Sequence, residues 1–332
     1  MRVLNTIEVH NAGMPVRIVF MPNIPGANMR EKKNYCKQNL EWVRKLITFE
    51  PRGSSNSYGI LITDPSNRNA HFGALFMSPS GWHDMCGHSS MAFACYAART
   101  GLVNLVDDKP LILDTPAGLV DLYVERRQPG RVRMVNVPSY IVETRRFQLN
   151  EYGSVEVYLS YGGNLCGVID LDVIGMNWDI DSLPQMLSFI RDIWKRLLRE
   201  PVRAKYLSDV ELHGIRLSKR ISKSPPRYYG ILIYGSPDRP LLDRSPSGTG
   251  SSAHIAYLHY IGEVKMGEYV EFLSAINTAF RCRIIGETSI NGLKAVIPEI
   301  SSKDKACYIT GFSTLIVEPD DPIKEGFPPL II

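Results

Sequence analysis

The chain has 332 residues, 44% of them hydrophobic and 22% charged, and a formal net charge of +4. That is room for two ordinary domains with a substantial core, and the composition is that of a globular protein. No apolar run reaches the roughly 18 residues of a membrane span, and so small an excess of positive charge argues against nucleic acid as a partner.

The first eight residues lack the apolar stretch of a secretory signal. Cys36, Cys86, Cys95, Cys166, Cys282 and Cys307 lie far apart and form no CxxC pair. That points to free thiols in a reducing, cytoplasmic setting rather than to disulfides or zinc. Ile7-Glu8-Val9-His10 alternates as a strand does, Ala12-Gly13 breaks it, and Val16-Arg17-Ile18-Val19-Phe20 begins another. From about 29 to 49, Tyr35, Leu40, Val43, Leu46 and Ile47 recur at helical spacing, and Glu50-Pro51-Arg52-Gly53 ends that helix. Tyr58-Gly59-Ile60-Leu61-Ile62 and residues 71–77 are strands joined by the turn Asp64-Pro65-Ser66-Asn67. Next come Asp84-Met85-Cys86-Gly87-His88-Ser89-Ser90 and a helix over 90–99 with Gly101 as its cap. This helix is apolar on nearly every face, which predicts burial. Residues 111–114, 119–124 and 132–135 predict three more strands, and Pro138 marks an exit from the first domain.

The second half repeats the plan. The strand 155–159 is broken by Gly162-Gly163, an amphipathic helix runs over 182–199, and Tyr229-Gly230-Ile231-Leu232-Ile233 repeats residues 58–62 letter for letter. The densest positive cluster, Lys219, Arg220, Lys223 and Arg227 around Pro225-Pro226, is expected to be a solvated loop. The stretch Asp243-Arg244-Ser245-Pro246-Ser247-Gly248-Thr249-Gly250-Ser251-Ser252 matches the Cys86 stretch at an offset of 161, with Gly87 on Gly248, Ser90 on Ser251, Ala92 on Ala253 and Tyr96 on Tyr257. Ordered matches across several elements indicate an internal duplication. Aligning the two YGILI runs leaves residues 72–77 without a counterpart and the segment before Asp243 ten residues short.

Cys86 and Ser247 each stand directly before a glycine that opens a helix. A helix N-terminus offers free N–H groups and positive potential, which favour a thiolate at Cys86 and a substrate carboxylate at Gly248-Thr249-Gly250. A lone buried cysteine is ordinarily structural; the second copy, with Asp243 ahead of it, tips the balance toward chemistry. The seven histidines show no metal-ligand spacing. Gly248-Thr249-Gly250 lacks the following GKS or GKT of a phosphate loop, and Gly162-Gly163 is a turn rather than a dinucleotide fingerprint.

Met85-Cys86-Gly87-His88 and residues 243–250 resemble the two signature motifs of the proline racemase superfamily: proline racemases, hydroxyproline 2-epimerases and trans-3-hydroxy-L-proline dehydratases. The resemblance extends over His10-Asn11-Ala12-Gly13, Ile24-Pro25-Gly26, Glu50-Pro51-Arg52-Gly53, Tyr161-Gly162-Gly163-Asn164 and the tail Asp320 to Phe327. It implies a diaminopimelate-epimerase-like α/β fold with two pseudo-symmetric halves, each a curved, mostly antiparallel sheet around a central helix. Residues 1–138, completed by 313–332, would form the half carrying Cys86, and 139–312 the half carrying Ser247. It further implies a small imino-acid substrate held between two helix starts, no cofactor, no metal, and a monomer or homodimer. Cys86 would be a catalytic base, and Gly87, His88, Asp243, Gly248 and Thr249 would bind substrate.

Racemases of the family carry a cysteine where this chain has Ser247. A hydroxyl is several pKa units less acidic than a thiol and is a poor general base near neutrality. Dehydratases of the family likewise replace the second cysteine with a hydroxyl residue. The expected reaction is therefore dehydration of trans-3-hydroxy-L-proline, with racemisation or epimerisation by Cys86 and Ser247 as the alternative. A divergent, inactive imino-acid-binding protein is the third possibility, since Met14, Ser54 and Leu165 stand where the family usually has Glu, His and Phe.

Overall fold

Alternating burial sets the strands, and two helices that are buried on nearly every side set where those strands must go. The computed structural model describes residues 1–332 apart from 105–108, 126, 201, 203–209, 303–305 and 330–332. The chain divides into two compact units, Met1–Val135 with Ser301–Ile332, and Asn136–Ile300.

In the first unit, strand Arg2–Asn11 pairs antiparallel with Cys307–Val317 on one side and with Met14–Phe20 on the other. Met14–Phe20 runs parallel to Tyr58–Thr63, which pairs antiparallel with Phe72–Ser78. Phe72–Ser78 takes the short strand Gly81–His83 and, in parallel, Leu111–Thr115, and the hairpin neighbours Gly118–Val124 and Val132–Val135 follow. These strands wrap round helix Gly87–Thr100. Its Met91, Ala92, Phe93, Ala94, Cys95 and Ala97 are wholly buried, as an all-round apolar helix requires. Gly101, at φ 68°, closes it in the left-handed conformation that glycine adopts without strain. The helix begins at Gly87, three residues before the apolar run that marked it in the sequence.

The helix expected over 29–49 is two helices, Met29–Asn39 and Glu41–Thr48. Leu40, at φ −119° and ψ 21°, breaks the run while keeping its apolar stripe in register, so Met29, Cys36, Val43, Leu46 and Ile47 reach one core. The Glu50-Pro51-Arg52-Gly53 segment and the tail meet: Glu50 and Phe327 exchange backbone hydrogen bonds, and the Arg52 guanidinium lies 2.6 Å from the Asp321 carboxylate.

The second unit has the same internal connectivity. Tyr140–Leu149, Gly153–Tyr161 and Leu165–Asp170 pair antiparallel in succession. Leu165–Asp170 runs parallel to Leu212–Lys223, which pairs antiparallel with Pro226–Gly235. Pro226–Gly235 takes the short strand Pro240–Leu242 and, in parallel, Val270–Leu273, followed by Ala279–Ile290. Helix Leu183–Arg199 buries Met186, Phe189, Ile190, Ile193, Trp194 and Leu197, and helix Gly248–Tyr260 packs against the strands around it.

This connectivity corrects the expected alignment of the two halves. The parallel neighbour of Met14–Phe20 is Tyr58–Thr63, and the parallel neighbour of Leu165–Asp170 is Leu212–Lys223. The counterpart of Tyr58–Thr63 is therefore Leu212–Lys223, and that of Phe72–Ser78 is Pro226–Gly235. Gly59 faces Met77 across its ladder as Gly214 faces Tyr234. The repeated YGILI letters occupy non-equivalent strands, so no strand is missing before Ser247. Counted from the matching glycines Gly73 and Gly230, the second unit takes 17 residues to reach its helix-start residue and the first takes 13.

The positive cluster is not a loop either. Lys219 and Arg220 lie on one strand and Arg227 on the next, where they pair with Asp172 at 2.7 Å, Glu263 at 2.7 Å and Glu271 at 2.9 Å.

Candidate active site

Cys86 is the N-cap of helix Gly87–Thr100, with ordinary extended backbone (φ −146°, ψ 106°) and 5% exposure. Its side chain makes no capping hydrogen bond. Sγ instead donates to Ser89 Oγ at 3.1 Å and lies 3.5 Å from both ring nitrogens of His88. The Cys86 carbonyl takes the Ser90 hydroxyl at 2.8 Å, fixing the first turn. His88 is itself locked: the Tyr58 ring meets it edge-on with centroids 4.5 Å apart, and Asn11 Nδ2 donates to its carbonyl at 3.3 Å. Gly87 opens the helix between them. Asp84, just upstream, is buried and ion-paired with Lys33. Within the first unit the expected residues Cys86, Gly87 and His88 thus form one buried group.

Within the second unit Asp243, Ser247, Gly248 and Thr249 do the same. Ser247 is the N-cap of helix Gly248–Tyr260, but its backbone sits at φ 60° and ψ 122°. A non-glycine residue there stores about 1–3 kcal/mol of strain. Its Oγ accepts the Gly250 N–H at 3.2 Å, and its own N–H donates to Ser245 Oγ at 3.1 Å. Asp243 Oδ1 accepts both the N–H and the hydroxyl of Ser245 at 2.8 Å. Burial raises the Asp243 carboxyl to about 6, against the lowering effect of those Ser245 hydrogen bonds and of the Arg216 charge. Thr249 is buried, with Asn164 Nδ2 3.4 Å from its hydroxyl. Gly162 lets the helix backbone pass: a Cβ there would lie 2.4 Å from the Thr249 carbonyl.

The two helix starts are therefore equivalent in connectivity and different in chemistry. One presents a thiol that does not cap its helix. The other presents a hydroxyl already engaged as a cap.

Along nearly its whole length, residues 6–328, the chain matches the sequence model of the family described as proline racemase. The chain belongs to the proline racemase family. Among its relatives are a proline racemase of Acetoanaerobium sticklandii, 32% identical over 98% of both chains, and a trans-3-hydroxy-L-proline dehydratase of Bacillus thuringiensis, 30% identical over 98% of both. Among solved structures, a hydroxyproline epimerase from Agrobacterium vitis shares the fold at a TM-score of 0.88, with 22% identity over 98% of this chain and 95% of that one. The diaminopimelate-epimerase-like arrangement of curved, mixed α/β halves is accordingly the fold of this family member.

Of the departures from the family pattern, Met14 and Leu165 are wholly buried while Ser54 is exposed. Three residues around the helix starts escaped the sequence reading. Ser89 stands within the first motif, and its contact with Cys86 follows from the i, i+3 geometry of a helix N-cap. Ser245 stands within the second, and its contact with Asp243 is an i, i+2 turn. Arg216, whose guanidinium lies under the second helix start, comes from a distant strand and left no local signal. Among the described residues no group of three His, Cys, Asp or Glu could hold a metal ion, and no helix is long and apolar enough to cross a membrane.

Proposed function

We propose that this chain removes the α-proton of a cyclic imino acid, and that its reaction is the dehydration of trans-3-hydroxy-L-proline to pyrroline-2-carboxylate. The observation that carries the reading is the asymmetry of the helix starts: a thiol clear of capping duty at Cys86, a capping hydroxyl at Ser247.

In this substrate the carboxylate and the 3-hydroxyl are trans, so the α-hydrogen and the hydroxyl share one ring face. Cys86 as thiolate takes the α-proton, the C–H electron pair becomes the Cα–Cβ double bond, and the C3–O bond breaks. The proton held by Cys86 can leave with the hydroxyl as water, and the enamine then tautomerises to the imine. The helix N-terminus supports a thiolate at this place, and once the thiol has lost its proton the Ser89 hydroxyl, 3.1 Å away, can turn to donate to the sulfur. Gly87, His88, Gly248 and Thr249 are assigned to substrate binding, and Asp243 accepts hydrogen bonds from the protonated ring nitrogen. Ser247 positions rather than transfers. The reading carries with it a small-molecule substrate, no resident cofactor, and a cytoplasmic enzyme acting as a monomer or homodimer.

Incubation with trans-3-hydroxy-L-proline should yield pyrroline-2-carboxylate, detected by its adduct with o-aminobenzaldehyde. No product, alongside brisk epimerisation of 4-hydroxyproline, would sink the dehydratase. Racemisation or epimerisation by Cys86 and Ser247 is the second reading, supported by the 32% identity to a proline racemase. It predicts deuterium entering Cα with inversion.

Asp243 fixes the pH behaviour. Only its ionised form offsets the charge of the protonated substrate nitrogen, so kcat/KM should fall as the pH drops through about 6. Stability runs the other way. A carboxyl raised in the folded state above its unfolded value stabilises the fold below about pH 4 and loses that contribution as pH rises through its folded value. Asp243→Asn should therefore abolish turnover yet be more stable than the parent at pH 8, by on the order of 1–2 kcal/mol, and so melt at a higher temperature. A lower melting temperature at that pH would contradict the buried, costly carboxylate.

A further inference from the structure

Arg216 is wholly buried, and among the described residues no carboxylate lies within ion-pairing distance of it. Its donors go to uncharged partners: Nε to His254 Nδ1 at 3.2 Å, one terminal nitrogen to the Pro246 carbonyl at 2.9 Å, the other to Ser251 Oγ at 3.2 Å. The guanidinium carbon stands 5.3 Å from the centre of the Phe272 ring. Burial lowers its pKa only to about 10, so it is a cation at neutral pH. A buried charge without a touching counter-charge is expensive, and the fold is shaped to keep it. A Cβ on Gly230 would lie 2.0 Å from one terminal nitrogen, and a Cβ on Gly250 2.8 Å from the other.

The Pro246 carbonyl that Arg216 holds belongs to the same peptide group as the Ser247 N–H. That N–H donates to Ser245 Oγ, and the Ser245 hydroxyl donates to Asp243 Oδ1. Guanidinium, peptide, hydroxyl and carboxylate form a chain in which every donor points the same way, so each link polarises the next. Of the other titratable groups near this chain, Arg244 is exposed at the surface, and His254, Cys166 and Cys282 are neutral near pH 7. Burial lowers His254 on the helix well below its ordinary value and pushes Cys166 and Cys282, on the flanking strands, up to about 12.

We propose that Arg216 is a positioning residue of the second helix start: its charge, relayed through the Pro246–Ser247 peptide and Ser245, keeps the buried Asp243 carboxylate ionised and pins the Ser247 peptide in its left-handed conformation. Its importance for turnover rests on the assignment of Asp243 to the substrate nitrogen. The relay itself does not, and it can be read without substrate.

The test is a difference-infrared titration of the protonated Asp243 carboxyl band in the intact chain, identified by its loss in Asp243→Asn. The parent should titrate near pH 6. Arg216→Gln should move the midpoint alkaline by about one unit or more, as removal of a buried opposite charge does, and Arg216→Lys should restore at least half of that shift. An unmoved midpoint in folded Arg216→Gln overturns the proposal. So does a lysine variant displaced as far as the glutamine one, since packing rather than charge would then be responsible. Should Arg216→Gln fail to fold, Cys282→Asp sets a counter-charge near the guanidinium while leaving Arg216 itself in place. It should shift Asp243 in the same alkaline direction, and no shift overturns the relay. If the band moves as expected while the parent turns over no imino acid, the relay stands and the substrate assignment falls.

Discussion

Cys86→Ala is expected to lower kcat for α-proton removal by roughly 10²–10⁴-fold, the range a positioned general base contributes. KM should change little, because the groups assigned to the carboxylate and ring nitrogen are backbone amides, His88 and Asp243. The fold should tolerate the change. Cys86 makes no side-chain cap, so the helix loses no capping hydrogen bond, and the cavity is that of one sulfur atom. Steady-state kinetics with a circular dichroism control checks both halves of the expectation. Retention of more than a tenth of the parent rate would remove Cys86 from the role of base. Alkylation offers an orthogonal view: iodoacetate should inactivate the parent, and pyrrole-2-carboxylate should protect it.

Ser247→Cys should have the opposite kind of effect, a gain of reaction. A thiol at this helix start would be far more ionisable than the hydroxyl it replaces. It would supply the acid–base partner that inversion at Cα requires, and racemisation of proline should rise by roughly 10²-fold or more over the parent. The cost is local: sulfur accepts the Gly250 N–H poorly, so about 1 kcal/mol of capping is lost. Polarimetry on L-proline, with deuterium incorporation at Cα, reads the gain directly. An unchanged rate would mean that the residue at 247 is not what separates elimination from inversion in this chain.

Much of the fold was legible because its signals are local. The buried helix after Cys86 announces itself by lacking a polar face, and Gly101 closes it as a left-handed cap. The Gly162-Gly163 turn and the helix ending at Arg199 needed only glycine and apolar spacing. The alignment of the halves failed because letters and positions parted company. Tyr229-Gly230-Ile231-Leu232-Ile233 is a good strand sequence anywhere, whereas equivalence is decided by which strand lies parallel to which. The single helix over 29–49 failed because a break at Leu40 that preserves the apolar stripe leaves the periodicity intact. At the helix starts the residue types were legible but their difference in conformation was not. Nothing local to Ser247 forecasts a φ of 60°, since the peptide is held from a strand some thirty residues earlier. Arg216 stood in view throughout, between Ile215 and Leu217. Only the two-residue period of its strand, once the strand was recognised, turns it inward with Ser218 toward His254.

Strand Arg2–Asn11 finds its outer neighbour in Cys307–Val317, with Arg2 opposite Val317. During synthesis this pairing has to wait until residue 317 has left the ribosome. In the unit from Asn136 to Ile300, the ladders of Tyr140–Leu149 with Gly153–Tyr161 and of Leu212–Lys223 with Pro226–Gly235 close within its own span. The half bearing Ser247 can thus be assembled while the half bearing Cys86 still lacks an edge. The surroundings of Cys86 are completed last, and a nascent chain cut short before residue 307 would carry Cys86 in a half that still lacks strand Cys307–Val317.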